Sequence, residues 1–278
     1  MKTFQCGGQR VPVLGLGTWQ LRNSECTSAV EKAIDMGYRH IDTAQIYENE
    51  AEVGTGIKNS NIARADIFLT TKVWMDRVSH SMMMKSVDES LRKLKTDYVD
   101  LLLIHWPVTN IPFKEQIAAL KEVRASGKTK GIGVSNFTVA QMREVHDDLD
   151  APIVTNQVEY HPFLSQQPVL DYIRKNDMFL TAYSPLARGA VTESSVIKEI
   201  GMKYNKTPGQ VTLRWLVQQD NVVAIPKAAS EKHIKSNIDI FDFALSLDDM
   251  NRISALAKSD GRLINPEWAP QWDKAQAA

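Results

Sequence analysis

The sequence has little that would cross-link the chain or hold it in a membrane. Only two cysteines occur among 278 residues, Cys6 and Cys26, which is too few for a disulfide framework. Free thiols in a reducing compartment are therefore expected. The longest apolar run, Val99–Trp106, includes an Asp and a His and is far too short to span a bilayer. Since no apolar signal segment opens the chain, we expect a cytoplasmic protein without a membrane segment.

The sequence also has no surplus of either charge. Lys and Arg number 33, as do Asp and Glu, so the formal net charge is zero. A nucleic-acid-binding protein normally carries a basic surplus, and we expect no nucleic-acid partner. The histidines show no metal-ligand spacing with other donor residues, and no metal site is predicted. No linker or low-complexity tract divides residues 1–278, which predicts one domain, and we expect a monomer with a small-molecule ligand.

Short apolar runs rich in β-formers recur along the chain. Runs that are apolar on both faces indicate strands buried on both sides, as in a parallel sheet. The N-terminal segment that leads into the first run, from Thr3 to Val13, is predicted to form a hairpin with its turn at Gly7-Gly8. The eight runs are Val13–Leu16, His40–Thr43, Ile67–Val73, Val99–Ile104, Gly131–Val134, Ile153–Val158, Phe179–Tyr183 and Val222–Ile225.

Amphipathic segments with helix-start signals separate these runs. Thr138 with Gln141, and Thr207 with Gln210, have the spacing of capping boxes. A stripe of apolar residues over Val139–Leu149 predicts a helix. Alternating strands and helices predict βαβ units, and eight units favour a closed (β/α)8 TIM barrel of the α/β class. The hairpin would then close the bottom of this barrel.

A Rossmann sheet is the competing architecture. Its glycine-rich fingerprint is missing, because Gly15-Leu16-Gly17 is followed by Gln20 at the position of the third glycine. Gly131-Ile132-Gly133 is followed by Asn136 at that position. A dinucleotide, if one binds, must therefore bind by another arrangement.

Titratable residues follow three consecutive runs, where a barrel carries its function. They are Asp42, Tyr47, Lys72 and His105. Each alone has an ordinary structural interpretation, as a cap, a packed aromatic, a surface lysine or a core histidine. Together they share one face. A Lys–Asp pair beside a tyrosine hydroxyl is expected to lower the pKa of that hydroxyl and make it a usable general acid.

The tryptophans cluster at the same junctions. Trp19, Trp74 and Trp106 follow strand runs, and Trp268 lies in the C-terminal tail. One tryptophan usually means packing, but several on one rim favour an apolar substrate wall, which His105 would complete. Trp215 and Trp272 are interpreted as core and anchor residues.

Three segments carry a family resemblance across nearly the whole chain. Gly37–Ala44, with Tyr47, Glu50 and Gly54 after it, resembles the first signature of the aldo-keto reductases. Lys130–Phe137 resembles the second signature, and Ile225–Asn237 the third. Within the family, the tail Arg262–Trp272 makes the sequence most similar to bacterial 2,5-diketo-D-gluconate reductases.

The resemblance implies a fold, a reaction and a set of site residues. Tyr47 would protonate a carbonyl oxygen, Lys72 paired with Asp42 would depress its pKa, and His105 would orient the substrate. NADPH would supply the hydride. Its binding residues would be Thr18, Trp19, Asp42, Ser135, Asn136, Gln157, Tyr183, Ser184, Pro185, Leu186, Ala187, Ile225, Pro226, Lys227, Ala228, Ser230, His233 and Asn237.

The third signature departs from the family pattern at two positions. Ala228 stands where the family has Ser or Thr, and His233 stands where it has Arg. Arginine offers a fixed charged fork to the 2′-phosphate, which a neutral histidine does not. This implies a weakened preference for NADPH and some use of NADH.

Two other functions stay open at this point. A Schiff-base lyase would use Lys72 as its nucleophile. A non-catalytic barrel that senses nicotinamide nucleotide would need no proton donor.

Overall fold

The computed structural model describes residues 1–274, so residues 275–278 of the predicted domain lie outside it. An eight-stranded parallel sheet runs in chain order from β3 to β10. Bridges from Leu14 to Ala224 and from Gly17 to Lys227 join the first strand region to the last and close the barrel. The strands are β3 (Leu16–Gly17), β4 (His40–Asp42), β5 (Phe68–Val73), β6 (Val99–Ile104), β7 (Thr129–Ser135), β8 (Ile153–Glu159), β9 (Phe179–Tyr183) and β10 (Val222–Ala224). The predicted (β/α)8 fold is confirmed.

Helices follow the strands and cover the outside of the barrel. Both predicted capping boxes are present, at Thr138 with Gln141 and at Thr207 with Gln210. The stripe over Val139–Leu149 is the exception, because its helix ends early and continues as a π-helical turn over Glu144–Asp148. The α-helices are α1 (Asn23–Asp35), α2 (Glu50–Asn59), α3 (His80–Leu94), α4 (Phe113–Ala125), α5 (Val139–Arg143), α6 (Gln167–Lys175), α7 (Ser195–Tyr204), α8 (Pro208–Gln218), α9 (Glu231–Ile238) and α10 (Leu247–Ser254).

The N-terminal hairpin closes the lower end of the barrel, as predicted. Strands β1 (Thr3–Cys6) and β2 (Gln9–Pro12) pair antiparallel. Cys6 and Val11 are buried in a small apolar cluster with inward-facing strand residues such as Phe179. A larger cluster fills the space between the strands and the helices and includes the predicted core residue Trp215. In (β/α)8 barrels, functional sites lie at the other, carboxyl end of the strands.

Within residues 1–274, none of the helices is long and apolar enough to cross a membrane.

Gly54 lies where α2 meets the end of α3. A Cβ built on Gly54 would lie 2.5 Å from the backbone carbonyl carbon and oxygen of Leu94. Gly54→Ala should therefore lower the free energy of unfolding by about 1–3 kcal/mol, because backbone atoms cannot move aside as side chains do. Urea unfolding followed by circular dichroism would measure this.

Gly209 in α8 offers the matched control. A Cβ there would meet only Leu186, at 4.0 Å. Gly209→Ala should be neutral or stabilise the fold by up to about 1 kcal/mol, since alanine favours a helix. Equal effects of the two alanines would show that the close approach at Gly54 does not matter.

Candidate active site

The four titratable residues predicted from strand ends meet at the carboxyl end of the barrel. Asp42 ends β4, Lys72 lies next to the end of β5, and His105 follows β6 directly. Tyr47 ends a short 3-10 turn, Gln45–Tyr47, that follows β4. Asp42, Lys72 and His105 are buried despite their polarity.

Lys72 donates every proton of its ammonium group to a neighbour. Its Nζ lies 2.5 Å from Asp42 Oδ1, 2.8 Å from the carbonyl oxygen of Thr43 and 3.3 Å from Tyr47 Oη. Burial lowers the pKa of Lys72, and the Asp42 carboxylate opposes that shift. An ammonium group has three protons to donate, so this set of partners is complete.

The hydrogen bond from Lys72 fixes what Tyr47 can do. Because an ammonium group only donates, the Tyr47 oxygen is the acceptor, and its own O–H remains to be donated. Tyr47 lines the cavity described below. Burial, and after it the charge of Asp42, raises the pKa of Tyr47 well above its ordinary value. The expected lowering of this pKa is therefore wrong, because burial and the charge of Asp42 both raise it.

His105 is a neutral ring in this surrounding. Burial, and then the charge of Lys72, holds its pKa well below its ordinary value. The ring packs edge-on against Tyr47 and Trp74, with centroids 5.7 and 5.1 Å away. A neutral imidazole has one nitrogen that donates and one that accepts a hydrogen bond, and the tautomer decides which nitrogen does which.

Side chains from the next strands hold this cluster in place. Gln157 donates to Asp42 Oδ2 at 2.8 Å, and Ser135 donates to the carbonyl of Gln157 at 2.8 Å. Asn136 donates to the carbonyl of His105 at 3.0 Å and accepts from the Tyr183 hydroxyl at 2.8 Å. The Tyr183 ring is thereby pinned at the cavity wall.

A cavity of about 530 Å³ opens above these residues. It is lined by all four predicted substrate tryptophans, Trp19, Trp74, Trp106 and Trp268, together with His105. A neighbouring cavity of about 390 Å³ shares part of its wall and is lined by Ser184, Pro185, Leu186, Pro226 and Lys227. Thr18 and Ile225 line the first cavity as well. Trp272 packs on Trp106 at 6.1 Å and is an anchor, as expected.

Part of the predicted cofactor set lies apart from both cavities. Ala187 and Ala228 are buried. Ser230 caps α9 by accepting from the backbone N–H of His233 at 3.3 Å, and His233 is exposed. Asn237 is buried further along the same helix. None of these residues of α9 lines either cavity, whereas Lys227, which precedes them in the chain, lines both.

Sequence reasoning missed one cation and part of the tail. Arg188 lines both cavities and lies 5.7 Å from the Trp19 ring. It follows the predicted loop directly, and Ser184, Ala187 and Arg188 all have left-handed backbone angles that no residue type there signals. Leu263 and its neighbours also line the first cavity. The tail has no periodic pattern from which this position could be read.

No cluster of three or more His, Cys, Asp or Glu side chains suited to a metal ion occurs within residues 1–274.

A closed parallel barrel with buried titratable residues at its carboxyl end defines the class of (β/α)8 enzymes. The aldo/keto reductase family model matches residues 13–258, and the chain belongs to that family. It is 42% identical to a glyoxal reductase of Bacillus subtilis, over 94% of each chain. It is 40% identical to the methylglyoxal reductase DkgB of Escherichia coli O157:H7, over 95% of this chain and 99% of that one.

A solved structure agrees closely with this fold. It is a crystal structure provisionally assigned as a 2,5-diketo-D-gluconic acid reductase B, at 50% identity and a TM-score of 0.96. The match covers 99% of this chain and 98% of the other. The predicted family and its likeness to the diketogluconate reductases are confirmed.

Proposed function

We propose that this protein reduces small aldehydes and ketones with NADPH, and that Tyr47 supplies the proton. The observation that carries the proposal is the hydroxyl of Tyr47. It accepts a hydrogen bond from a buried ammonium group at 3.3 Å and so presents its own proton to the cavity. A proton donor in this position is what reduction of a carbonyl oxygen needs.

The cavity walls fit a phosphate-bearing nucleotide. Lys227 and Arg188 line both cavities. Among the described residues, Asp42 is the one carboxylate in either lining, and Lys72 pairs with it. The net charge of the walls is therefore positive, and the pinned Tyr183 ring offers a flat apolar platform. NADPH would be held by the predicted cofactor residues and, when bound, would supply hydride to a carbonyl carbon.

The residues of the chain divide the proton chemistry among them. Tyr47 keeps its proton at neutral pH because burial raises its pKa, and it releases the proton only to an oxygen that gains negative charge. Lys72 Nζ then stabilises the resulting phenolate oxygen through the existing hydrogen bond. His105, neutral and next to Tyr47, would orient the same carbonyl oxygen.

The substrate wall fits a small carbonyl compound. Four tryptophans line the cavity, which at about 530 Å³ is in the usual range of small-molecule sites. Two relatives are named for reducing glyoxal and methylglyoxal, and a solved neighbour for a diketogluconate. We infer a methylglyoxal-like or diketogluconate-like carbonyl as substrate. The cytoplasmic location and the monomeric state stay predictions.

The structure weighs against the two other functions. Lys72 is fully buried, and its three protons are engaged, so it is a poor nucleophile for a Schiff base. A barrel that only senses nucleotide would gain nothing from the free proton of Tyr47. A reductase turns over an aldehyde, whereas a nucleotide-sensing barrel does not, so an aldehyde assay distinguishes the two.

Tyr47→Phe should lower kcat by about 10²–10⁴-fold, because it removes the general acid. NADPH binding should stay within about twofold, since the ring is kept. Aldehyde-dependent oxidation of NADPH and a fluorescence titration measure the two effects.

Tyr160→Phe is the matched control. Its hydroxyl is also buried, but it bonds Gln219 of the loop after α8, at 2.9 Å. It should change stability and leave kcat unchanged. A Tyr47→Phe enzyme as active as this control would remove Tyr47 from the reaction.

Lys72→Met should move the alkaline limb of the kcat/KM profile to higher pH by roughly one to three pH units. The limb falls as Tyr47 loses its proton, and the substitution leaves the Asp42 charge unbalanced, which raises the pKa of Tyr47 further. Asp42→Asn/Lys72→Met removes both charges and should shift the limb less. An unmoved limb in Lys72→Met would mean that another group controls it.

His233→Arg should raise the ratio of kcat/KM for NADPH over NADH by roughly tenfold, because a guanidinium can pair with the 2′-phosphate. Only the phosphorylated nucleotide gains this contact. The exposed His80, which bonds Glu122 at 2.8 Å, provides His80→Arg as a control with the same added charge. Both are compared at fixed ionic strength. If both ratios move alike, His233 does not face the phosphate.

A further inference from the structure

Glu159 ends β8 as a fully buried carboxylate that the proposed chemistry does not use. Its Oε1 accepts from the backbone N–H of Leu263 at 2.7 Å, and its Oε2 from that of Ile264 at 2.8 Å. His161 lies 2.9 Å from the same Oε1. Burial favours a higher pKa for Glu159, but these hydrogen bonds outweigh it and the pKa is lowered, so the carboxylate is charged.

The segment that Glu159 binds has no regular structure of its own. Residues 259–274 form neither helix nor strand, so no ladder of backbone hydrogen bonds fixes their course. Their position depends on a few contacts with the barrel. The bonds to Glu159 are charge-assisted and end on a fully buried carboxylate, which makes them strong for a backbone N–H.

The same segment forms the outer wall of the first cavity. Leu263 and Ile264 line it, and so do Asn265, Pro266 and Trp268 just beyond them. The residues that bond Glu159 through the backbone are therefore also part of the cavity wall.

A second attachment holds the far end of the tail. The guanidinium of Arg262 stacks on Trp272 at 3.7 Å, and Asp273 accepts from the backbone N–H of Val139 at 2.9 Å. The wall segment is thus attached at two places, at Leu263 and Ile264 by Glu159 and at Asp273 by Val139.

We infer that Glu159 is a positioning residue that holds residues 263–268 against the cavity and thereby selects carbonyl substrates large enough to touch that wall. The inference rests on the proposed reductase function. A small substrate such as glyoxal meets Tyr47 and His105 without needing the wall, whereas a bulky one such as phenylglyoxal binds through it. Loss of the contact should affect the second and spare the first.

Glu159→Gln tests this, because an amide can accept at only one of its two ends and leaves one tail N–H without an acceptor. KM for phenylglyoxal should rise at least about tenfold. KM and kcat for glyoxal, and the Kd of NADPH, should stay within about twofold. Trypsin should cut after Arg262 faster than in the unmodified protein, as followed by mass spectrometry.

Asp100→Asn is the matched control at the opposite end of the barrel. Asp100 is also buried and accepts from a backbone N–H, that of Leu69 at 3.0 Å. It should lower stability without changing the KM ratio of the two substrates or cleavage at Arg262. Equal effects of the two variants, or a loss that is the same for both substrates, would overturn the inference.

If Glu159→Gln does not fold, hydrogen exchange of the unmodified protein tests the same contact. Slow exchange at the amides of Leu263 and Ile264 supports the contact, and exchange as fast as in an open chain overturns it. Exchange and cleavage need no turnover. Absence of any reductase activity would therefore refute the proposed function while these two measurements still judge the position of the tail.

Discussion

The buried ion pair of Lys72 and Asp42 is the interaction on which the rest of the site depends. Taking two charges out of water costs several kcal/mol for each ion, and mutual attraction offsets this only when every other hydrogen bond is made. Here the requirement is met. Lys72 donates its remaining protons to Thr43 and Tyr47, and Asp42 accepts a second hydrogen bond from Gln157. The partners come from strands that the barrel alone brings together.

The ion pair also decides the protonation of its neighbours. Burial, and after it the charge of Asp42, raises the pKa of Tyr47 and keeps that hydroxyl protonated. At His105, burial and then the Lys72 charge both lower the pKa and favour the neutral ring. A protonated phenol and a neutral imidazole thus lie side by side at the base of an apolar cavity. This arrangement suits a carbonyl oxygen, which is neutral on entry and gains charge as it reacts.

The site combines rigid and irregular parts, and each contributes differently. Strand ends place the reacting groups, because the sheet fixes their positions to within the accuracy that proton transfer needs. Tryptophans after the strand ends form part of the walls, and the loop around Arg188 and the tail beyond Gly261 form the rest. Such segments can change without disturbing the strands, which is how one barrel serves different substrates. In this protein a buried carboxylate positions each of the two parts: Asp42 holds the reacting groups, and Glu159 holds the wall formed by the tail.

The order of the strands, the hairpin and the titratable residues at the strand ends were all predictable from the sequence. These features depend on local periodicity, on capping chemistry and on the rule that barrel strands point their carboxyl ends to one mouth. The short β3 and the π-helical turn after α5 were not predictable, because tertiary context can override local preference.

The sequence by itself determined which residues carry the chemistry, since their types and order along the chain are what define the family signatures. The tertiary structure alone decided their electrostatic state and the shape of the cavity. The high pKa of Tyr47 results from burial and from the charge of Asp42. The roles of Arg188 and Glu159 likewise depend on contacts between segments distant in the chain, such as Glu159 with Leu263. Burial and long-range contact are properties of the folded chain, and no local pattern encodes them.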